Sequence, residues 1–350
     1  MEKKGYSNFD IYKLFGVSVN KIDKIIENKN NHIKKIAIPK KDGSLRHIIS
    51  PDRELKAILK NIYWKFLKKY KAHEAAHGFV SKRGISTNAD IHVGANSVGK
   101  IDIKNFFDSI STNHLKNCLF GNKQVCRLCS NYEKMLDGSC HPSLYKNKEQ
   151  NFTHKCEEIK AVFIPDYCKE TGYESLFLRI IELCTINGFT VQGYPTSPII
   201  SNIVLKGFDK KITEHCKENG INYTRYADDL AFSSKTHTKD ELKDITKVKA
   251  YRLLWAYNFE PNRKKTIYKS KFGRLKICGV VVNIRKNVQR KLVRLFRAKV
   301  HHATVMFPDR TTKTRIRQLK GWASFLMSIN PDKGNHYMGK LLSFESAKFK

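Results

Sequence analysis

Acidic residues are scarce in this 350-residue chain: 32 Asp and Glu stand against 66 Lys and Arg, a formal net charge of +34. So large an excess excludes an ordinary self-neutralising surface and implies a polyanionic partner, either nucleic acid or an anionic membrane. Long apolar runs are missing too. No stretch of about 18 apolar residues occurs, so no segment is expected to span a membrane. The opening Met1-Glu2-Lys3-Lys4-Gly5 lacks the apolar core of a signal peptide. Nucleic acid in the cytoplasm is therefore the expected setting. Cysteine is not rare, but nine is an odd count. Without an export signal, that argues for reduced thiols, with metal ligation where they cluster. A chain of this length is expected to form two or three subdomains.

With acids so few, their positions matter. Asp228 and Asp229 lie between the β-rich runs Tyr223 to Tyr226 and Leu230 to Ser233, which predicts a tight hairpin with its acids at the tip. A polar turn would use Asp in the same way. Asp102 sits between Ile101 and Ile103 in a strand-like run, where a carboxylate is costly to bury unless it is paired or bound to a cation. Phosphoryl transfer to a 3′ hydroxyl uses carboxylates from separate strands to hold two divalent ions about 3.5–4 Å apart. Oxygen ligands completed by substrate phosphates point to Mg²⁺.

The remaining segments supply packing and cations. Residues 6 to 29 predict one or two short helices forming a packing arm. The runs flanking Lys40-Lys41-Asp42-Gly43-Ser44 predict a second hairpin, with Lys40, Lys41 and Arg46 able to meet a triphosphate. Ser50 and Pro51 are expected to open a helix as N-cap and first residue, with Leu55, Ile58, Leu59, Ile62, Phe66 and Leu67 as its apolar face. Cys126-x-x-Cys129, with Cys140 and one of His141, His154 or Cys156, has the makings of a structural zinc site. A flexible insertion is the alternative. Thr238-x-x-Glu241 predicts a capping box for a helix reaching about Asn258, and Leu275 to Asn283 reads as a β-run. Two basic helices are expected to finish the chain. Leu292, Leu295, Phe296 and Val300 face inward in the first, as do Ile316, Leu319, Trp322, Phe325, Leu326 and Ile329 in the second. Arg294, Arg297, Arg315, Arg317 and Lys320 are left outside for a nucleic-acid backbone.

In order along the chain, Ile38-Pro39-Lys40-Lys41-Asp42-Gly43-Ser44-Leu45-Arg46, Ile101-Asp102-Ile103-Lys104-Asn105-Phe106-Phe107, Gln192-Gly193-Tyr194-Pro195-Thr196-Ser197-Pro198 and Tyr226-Ala227-Asp228-Asp229 resemble the motif set of reverse transcriptases. The resemblance implies an α+β right-hand polymerase fold, with fingers, a palm built on an antiparallel sheet, and a helical thumb. On that pattern residues 1–33 are an N-terminal arm, 34–100 fingers, 101–117 and 185–283 palm, 118–184 a Cys/His-rich insertion with flanking helices, and 284–350 thumb. It implies that Asp102, Asp228 and Asp229, with Ile103, hold two Mg²⁺ ions. Lys265 would protonate the leaving pyrophosphate. Lys40, Lys41, Arg46, Gln192, Gly193 and Tyr226 would bind the nucleotide, and Phe107 would exclude a ribose 2′ hydroxyl. Cys278 and Gly279 fall in the run resembling the primer grip.

Two features resemble retron reverse transcriptases in particular. These are Asn88-Ala89-x-x-His92 and Lys320-Gly321-Trp322-Ala323-Ser324-Phe325. Where retrons usually carry Val-Thr-Gly, this chain has Ile277-Cys278-Gly279. The resemblance implies one structured noncoding RNA serving as template and primer, dNTP substrates, a branched RNA-linked DNA product, and a separate effector in antiphage defence. Asn88, His92, Cys278, Gly279, Trp322 and the thumb cations would bind RNA and primer. The alternatives are another defence-associated or intron-like reverse transcriptase, and an inactive RNA-binding scaffold.

Overall fold

A computed structural model describes residues 15–39, 43, 45–120 and 174–349. Helix α1 (Val19–Glu27) turns Ile22 and Ile25 inward. It is pinned to α6 (Glu174–Cys184) by Arg179, which donates to both carboxylate oxygens of Asp23 at 2.7 and 2.9 Å. Strands β1 (Ile33–Pro39) and β2 (Leu45–Pro51) form the expected antiparallel hairpin. Ser50 and Pro51 do not open a helix. They complete β2, paired with Lys34 and Ile33. The cap of α2 (Arg53–Lys65) is instead Asp52, whose side chain accepts from the Leu55 amide at 2.8 Å. Long-range pairing of β2 has overridden a local Ser-Pro signal.

After α2 come α3 (Ile85–Asp90), β3 (Ser97–Ile103), α4 (Phe106–Ser109), α5 (Thr112–Phe120) and, past residue 173, α6. Helices α7 (Ser197–Val204) and α8 (Lys206–Glu218) lead into β4 (Asn222–Tyr226) and β5 (Asp229–Ser234). Helix α9 (Lys239–Ala256) opens on the predicted capping box, Thr238 with Glu241. Strand β6 (Pro261–Ser270), which the local sequence pattern does not predict, follows it. The central sheet has the order β4-β5-β3-β6, every neighbour antiparallel. The burial pattern explains why β6 is hard to foresee: Arg263, Lys264 and Lys265 are exposed and only Pro261 is fully buried.

The Leu275 to Asn283 run is not one strand. It folds back as β7 (Lys276–Ile277) and β8 (Val280–Val281) around Cys278 and Gly279, with φ of 46° and 83°. Two consecutive left-handed residues suit the twist of a two-residue hairpin loop.

Three helices close the described chain rather than two: α10 (Arg290–His301), α11 (Lys313–Ile329) and α12 (Pro331–Lys348). Phe296, Val300, Ile316, Leu319, Leu326 and Ile329 are core, as the helical spacing predicts. Leu292, Leu295, Trp322 and Phe325 are not. They stand 36–45% exposed, because no further layer among the described residues packs over those sides of α10 and α11. Trp322 stacks on Phe296 at 5.9 Å, and the Lys299 ammonium sits 5.3 Å from its ring centre. Two cores result. One joins α1, α2 and the helices under the sheet. The other joins α10–α12 to β7, β8 and the outer end of β3.

Candidate active site

The β3–β5 register sets Asp102 opposite Asp229, and β5 turns back into β4 with Tyr226 opposite Asp229. Only Asp228 therefore lies in the turn, while Asp229 is already the first residue of β5. Ala227, the other turn residue, has φ 57°, a region that residues with a Cβ seldom occupy. Three contacts hold it there. Arg225 donates to the Ala227 carbonyl at 3.1 Å. Gly78 packs so close that a Cβ on it would lie 2.5 Å from the Ala227 nitrogen. Ile103 donates its amide to the Asp228 carbonyl at 3.0 Å, tying the turn to β3.

Arg225 is fully buried. Its guanidinium meets Asp209 on α8 at 2.6 Å and the Asn202 side-chain oxygen on α7 at 3.0 Å. Asn202 in turn donates to the Gly78 carbonyl at 3.0 Å. Asp209 also accepts from the Tyr223 hydroxyl at 2.8 Å. The hairpin thus rests on a desolvated, mutually satisfied polar network.

Above that floor the carboxylates differ. Asp102 is only 8% exposed. It accepts from Asn262 at 3.0 Å and forms an ion pair with Lys265 at 3.2 Å. Asp229 faces Lys100 at 3.5 Å. Burial, followed by repulsion from Asp229 and Asp102, pushes the Asp228 carboxyl up to about 6, against the lowering pull of its own backbone amide and of Lys265. Among the described residues no three His, Cys, Asp or Glu side chains converge on a ready-made metal site. The donor set nonetheless consists of hard carboxylate oxygens on adjoining backbone, the type a Mg²⁺ ion takes, and the ammonium groups on Asp102 and Asp229 mark where positive charge is favourable.

Lys265, not its neighbour Lys264, reaches Asp102. A register shift in the β3–β6 ladder between Lys100 and Asp102 puts Asn262 opposite Asp102, and the extra residues of β6 bring Lys265 over it. Lys100 and Asn262 are site residues that the sequence motifs do not single out. Two-residue alternation along β3 carried a signal for Lys100, since it shares the face of Asp102. Asn262 carried none, because its place depends on the bulge.

Phe107 is half-buried, 5.2 Å from Phe106 and 6.2 Å from Phe79 between ring centres. Phe79 is 48% exposed with φ 62°. Gln192 accepts the Ile49 amide on its carbonyl at 2.8 Å. Gly193, at φ 116°, leaves room that a Cβ would lose to the Ile49 carbonyl at 2.3 Å. The β1–β2 hairpin is docked here onto the Gln192-Gly193 turn. Tyr226 is half-buried and Arg46 is exposed on β2. Lys40 and Lys41 lie outside the described residues, as do Cys126, Cys129, Cys140, His141, His154 and Cys156.

His92 is not placed to touch RNA. At 1% exposure its ring bridges Ser233 and Thr224, each at 2.7 Å. Asn88 is likewise buried and donates to the Cys278 sulfur at 3.0 Å. The Asn-Ala-x-x-His segment therefore braces β4, β5 and the β7–β8 turn from behind. Arg294, Arg297 and Arg317 are exposed, and Arg315 is half-buried. The Lys320 ammonium is engaged by Glu345 of α12 at 2.8 Å.

The family model described as reverse transcriptase (RNA-dependent DNA polymerase) matches residues 38–282. The chain is 30% identical to the retron Mx162 reverse transcriptase of Myxococcus xanthus over 95% of its own length and 66% of the relative's. For the retron Mx65 reverse transcriptase of the same organism the figures are 27%, 86% and 62%. For the retron Ec86 reverse transcriptase of Escherichia coli they are 25%, 92% and 84%. The chain thus spans slightly under two thirds of the two Myxococcus relatives. A solved telomerase from Candida albicans, in complex with a fragment of telomeric RNA, aligns with 91% of this chain and 60% of its own at 12% identity and a TM-score of 0.43. That likeness is too loose to carry function.

Proposed function

Since this chain belongs to the reverse transcriptase family, we propose that it is the RNA-directed DNA polymerase of a retron. It would copy part of a structured noncoding RNA into a branched, RNA-linked DNA used with an effector in antiphage defence. The observation that carries the reading is the pairing of Asp102 with Asp229 across β3 and β5, with Asp228 in the adjoining turn. A pure RNA binder would have no use for three acids gathered beside a polyanion. The basic thumb supports an RNA partner recognised by shape and backbone.

Asp102, Asp228 and Asp229 would hold the divalent ions, which when bound supply Lewis acidity to the attacking hydroxyl and the leaving phosphate. The protein's own share is positioning and electrostatics. The Arg225 network fixes the turn. Asn262 orients the Asp102 carboxylate, and Lys265, beside it, would give a proton to departing pyrophosphate. Phe107, packed against Phe106, would exclude a ribose 2′ hydroxyl. Gln192 and Gly193, which dock the β1–β2 hairpin, would bind the nucleotide, and the β7–β8 turn at Cys278-Gly279 would bear on the primer.

Sequencing the nucleic acid that copurifies with the protein expressed from its native locus tests this reading. One RNA species joined covalently to a short DNA is the expected result. DNA carrying no linked RNA, or a random RNA population, would contradict the retron assignment.

A further inference from the structure

The face of the central sheet turned away from Asp102 is covered by α8 and α9. Where α9 meets β6, a cavity of about 510 Å³ is lined by Lys239, Lys243, Lys247, Tyr251, Arg263 and Tyr268, with Asp240 and Thr266. Along α9 these residues follow one spacing. Lys239, Lys243, Lys247, Tyr251 and Trp255 recur every four residues and so lie in one row. The lysines are about 6 Å apart along the axis at ~1.5 Å per residue.

This row is unfavourable for the helix itself. Like charges at i,i+4 repel, and the first of them sits at the positive end of the helix dipole. Lys239 has Asp240 at 3.5 Å. Lys243, Lys247 and Arg263 show no ion pair with any described residue. Their charge is concentrated instead. The Lys247 ammonium lies 5.8 Å from the Tyr251 ring centre, and the Arg263 guanidinium lies 5.9 Å from that of Trp255. Those rings are fixed in turn: Tyr251 donates to the Thr266 hydroxyl at 2.9 Å, and Tyr251 and Trp255 pack edge to face. The irregular β3–β6 ladder sends Lys265 to Asp102 while Arg263 joins the lysine row.

We infer that the Lys239–Lys243–Lys247 row, closed by Arg263, is a second nucleic-acid track, which holds the phosphate backbone of RNA lying outside the site formed by Asp102, Asp228 and Asp229. The inference rests on the proposed function, which supplies a structured RNA larger than the copied segment. Four cations in a concave, aromatic-backed site suit consecutive phosphates, and the absence of base-directed amide side chains suits recognition of backbone rather than sequence.

The test uses the full chain and a triple variant, Lys243→Gln, Lys247→Gln and Arg263→Gln. None of the three residues belongs to the acid site. The acid site is first occupied with a short blunt RNA–DNA duplex. Binding of an RNA hairpin with single-stranded flanks containing 4-thiouridine is then measured against salt concentration. At about 0.7 per phosphate contact on a single strand, the salt slope should fall by roughly two in the triple variant. The photo-cross-link to the segment 243–263 should vanish, and both should return when arginine replaces each of the three glutamines. An unchanged slope with the cross-link elsewhere overturns the track. Extension of oligo(dT) on poly(rA) by the wild-type protein is assayed separately. Failure there strikes the polymerase reading, whereas failure of the slope strikes only the track.

Discussion

The guanidinium of Arg225 and the carboxylate of Asp209 meet at 2.6 Å with neither side chain exposed to solvent. Through the same guanidinium the turn carrying Asp228 is held, because another of its nitrogens binds the Ala227 carbonyl. Replacing Arg225 by Met strands a buried carboxylate and should cost about 3–5 kcal/mol of stability. Arg225→Lys keeps the charge but cannot meet Asp209, Asn202 and Ala227 together. Urea denaturation should place Arg225→Lys between wild type and Met. Primer extension should fall in both variants. Wild-type stability in Arg225→Met would contradict the role given to the network.

Gly78 lies against the same turn. Its replacement by Ala puts a methyl 2.5 Å from the Ala227 nitrogen, so either the turn or the Gly78 loop must move. A destabilisation of about 1–3 kcal/mol is expected from overpacking. A disproportionate loss of kcat, at least about tenfold, is expected from displaced reacting groups. Steady-state kinetics beside a melting curve would separate the two effects.

Lys265 and Lys264 are neighbours with different surroundings, since only Lys265 reaches Asp102. Lys265→Ala should lower kcat by about 10²–10⁴-fold, the usual range for a lost general acid, and Lys264→Ala by much less. Single-turnover extension of each variant checks this. Equal losses would detach the proton-transfer role from Lys265.

Burial holds the His92 imidazole down to about 3, and burial with the nearby Arg83 charge holds His77 down to about 4. Each folded pKa lies below the ordinary value near 6.5, so the unfolded chain binds more protons between the two. Stability contributed by the neutral rings is present above about 6.5 and lost as pH falls. From pH 6.5 to 5, His92 alone should cost about 1.6 kcal/mol, because the slope rises to 1.36 kcal/mol per pH unit only once the unfolded imidazole is fully protonated. Denaturation midpoints of wild type and His92→Gln across that range should converge on acidification. Parallel curves would show that His92 titrates normally.

Much of this site is legible in the amino-acid sequence itself. Asp102 between two isoleucines, the Tyr-Ala-Asp-Asp hairpin and the Thr238/Glu241 cap are local patterns whose physics acts within a few residues. What stays hidden depends on distant partners. Strand β6 reads as a basic loop until β3 pairs with it. Helix α12 contains Gly334 and Gly339, poor helix formers, yet Gly334 lies where a Cβ would be 2.2 Å from the Met327 backbone of α11, so close packing rather than propensity selects it. His92 has the chemistry of a ligand contact and the position of a brace, and only the fold distinguishes the two. Leu295 and Trp322 fit an inward helical face, but no third layer among the described residues covers them.

The most direct test of the central claim is Mg²⁺-dependent extension of oligo(dT) on poly(rA) by the wild-type chain and by Asp228→Asn, with both proteins shown to be folded by their melting curves. Asp228→Asn keeps the shape of the turn and removes one charge from the acid group. Extension should fall by at least about a thousandfold, corresponding to ~4 kcal/mol of lost transition-state stabilisation. Wild-type synthesis matched by the variant would contradict the assignment of Asp102, Asp228 and Asp229 as the polymerase site.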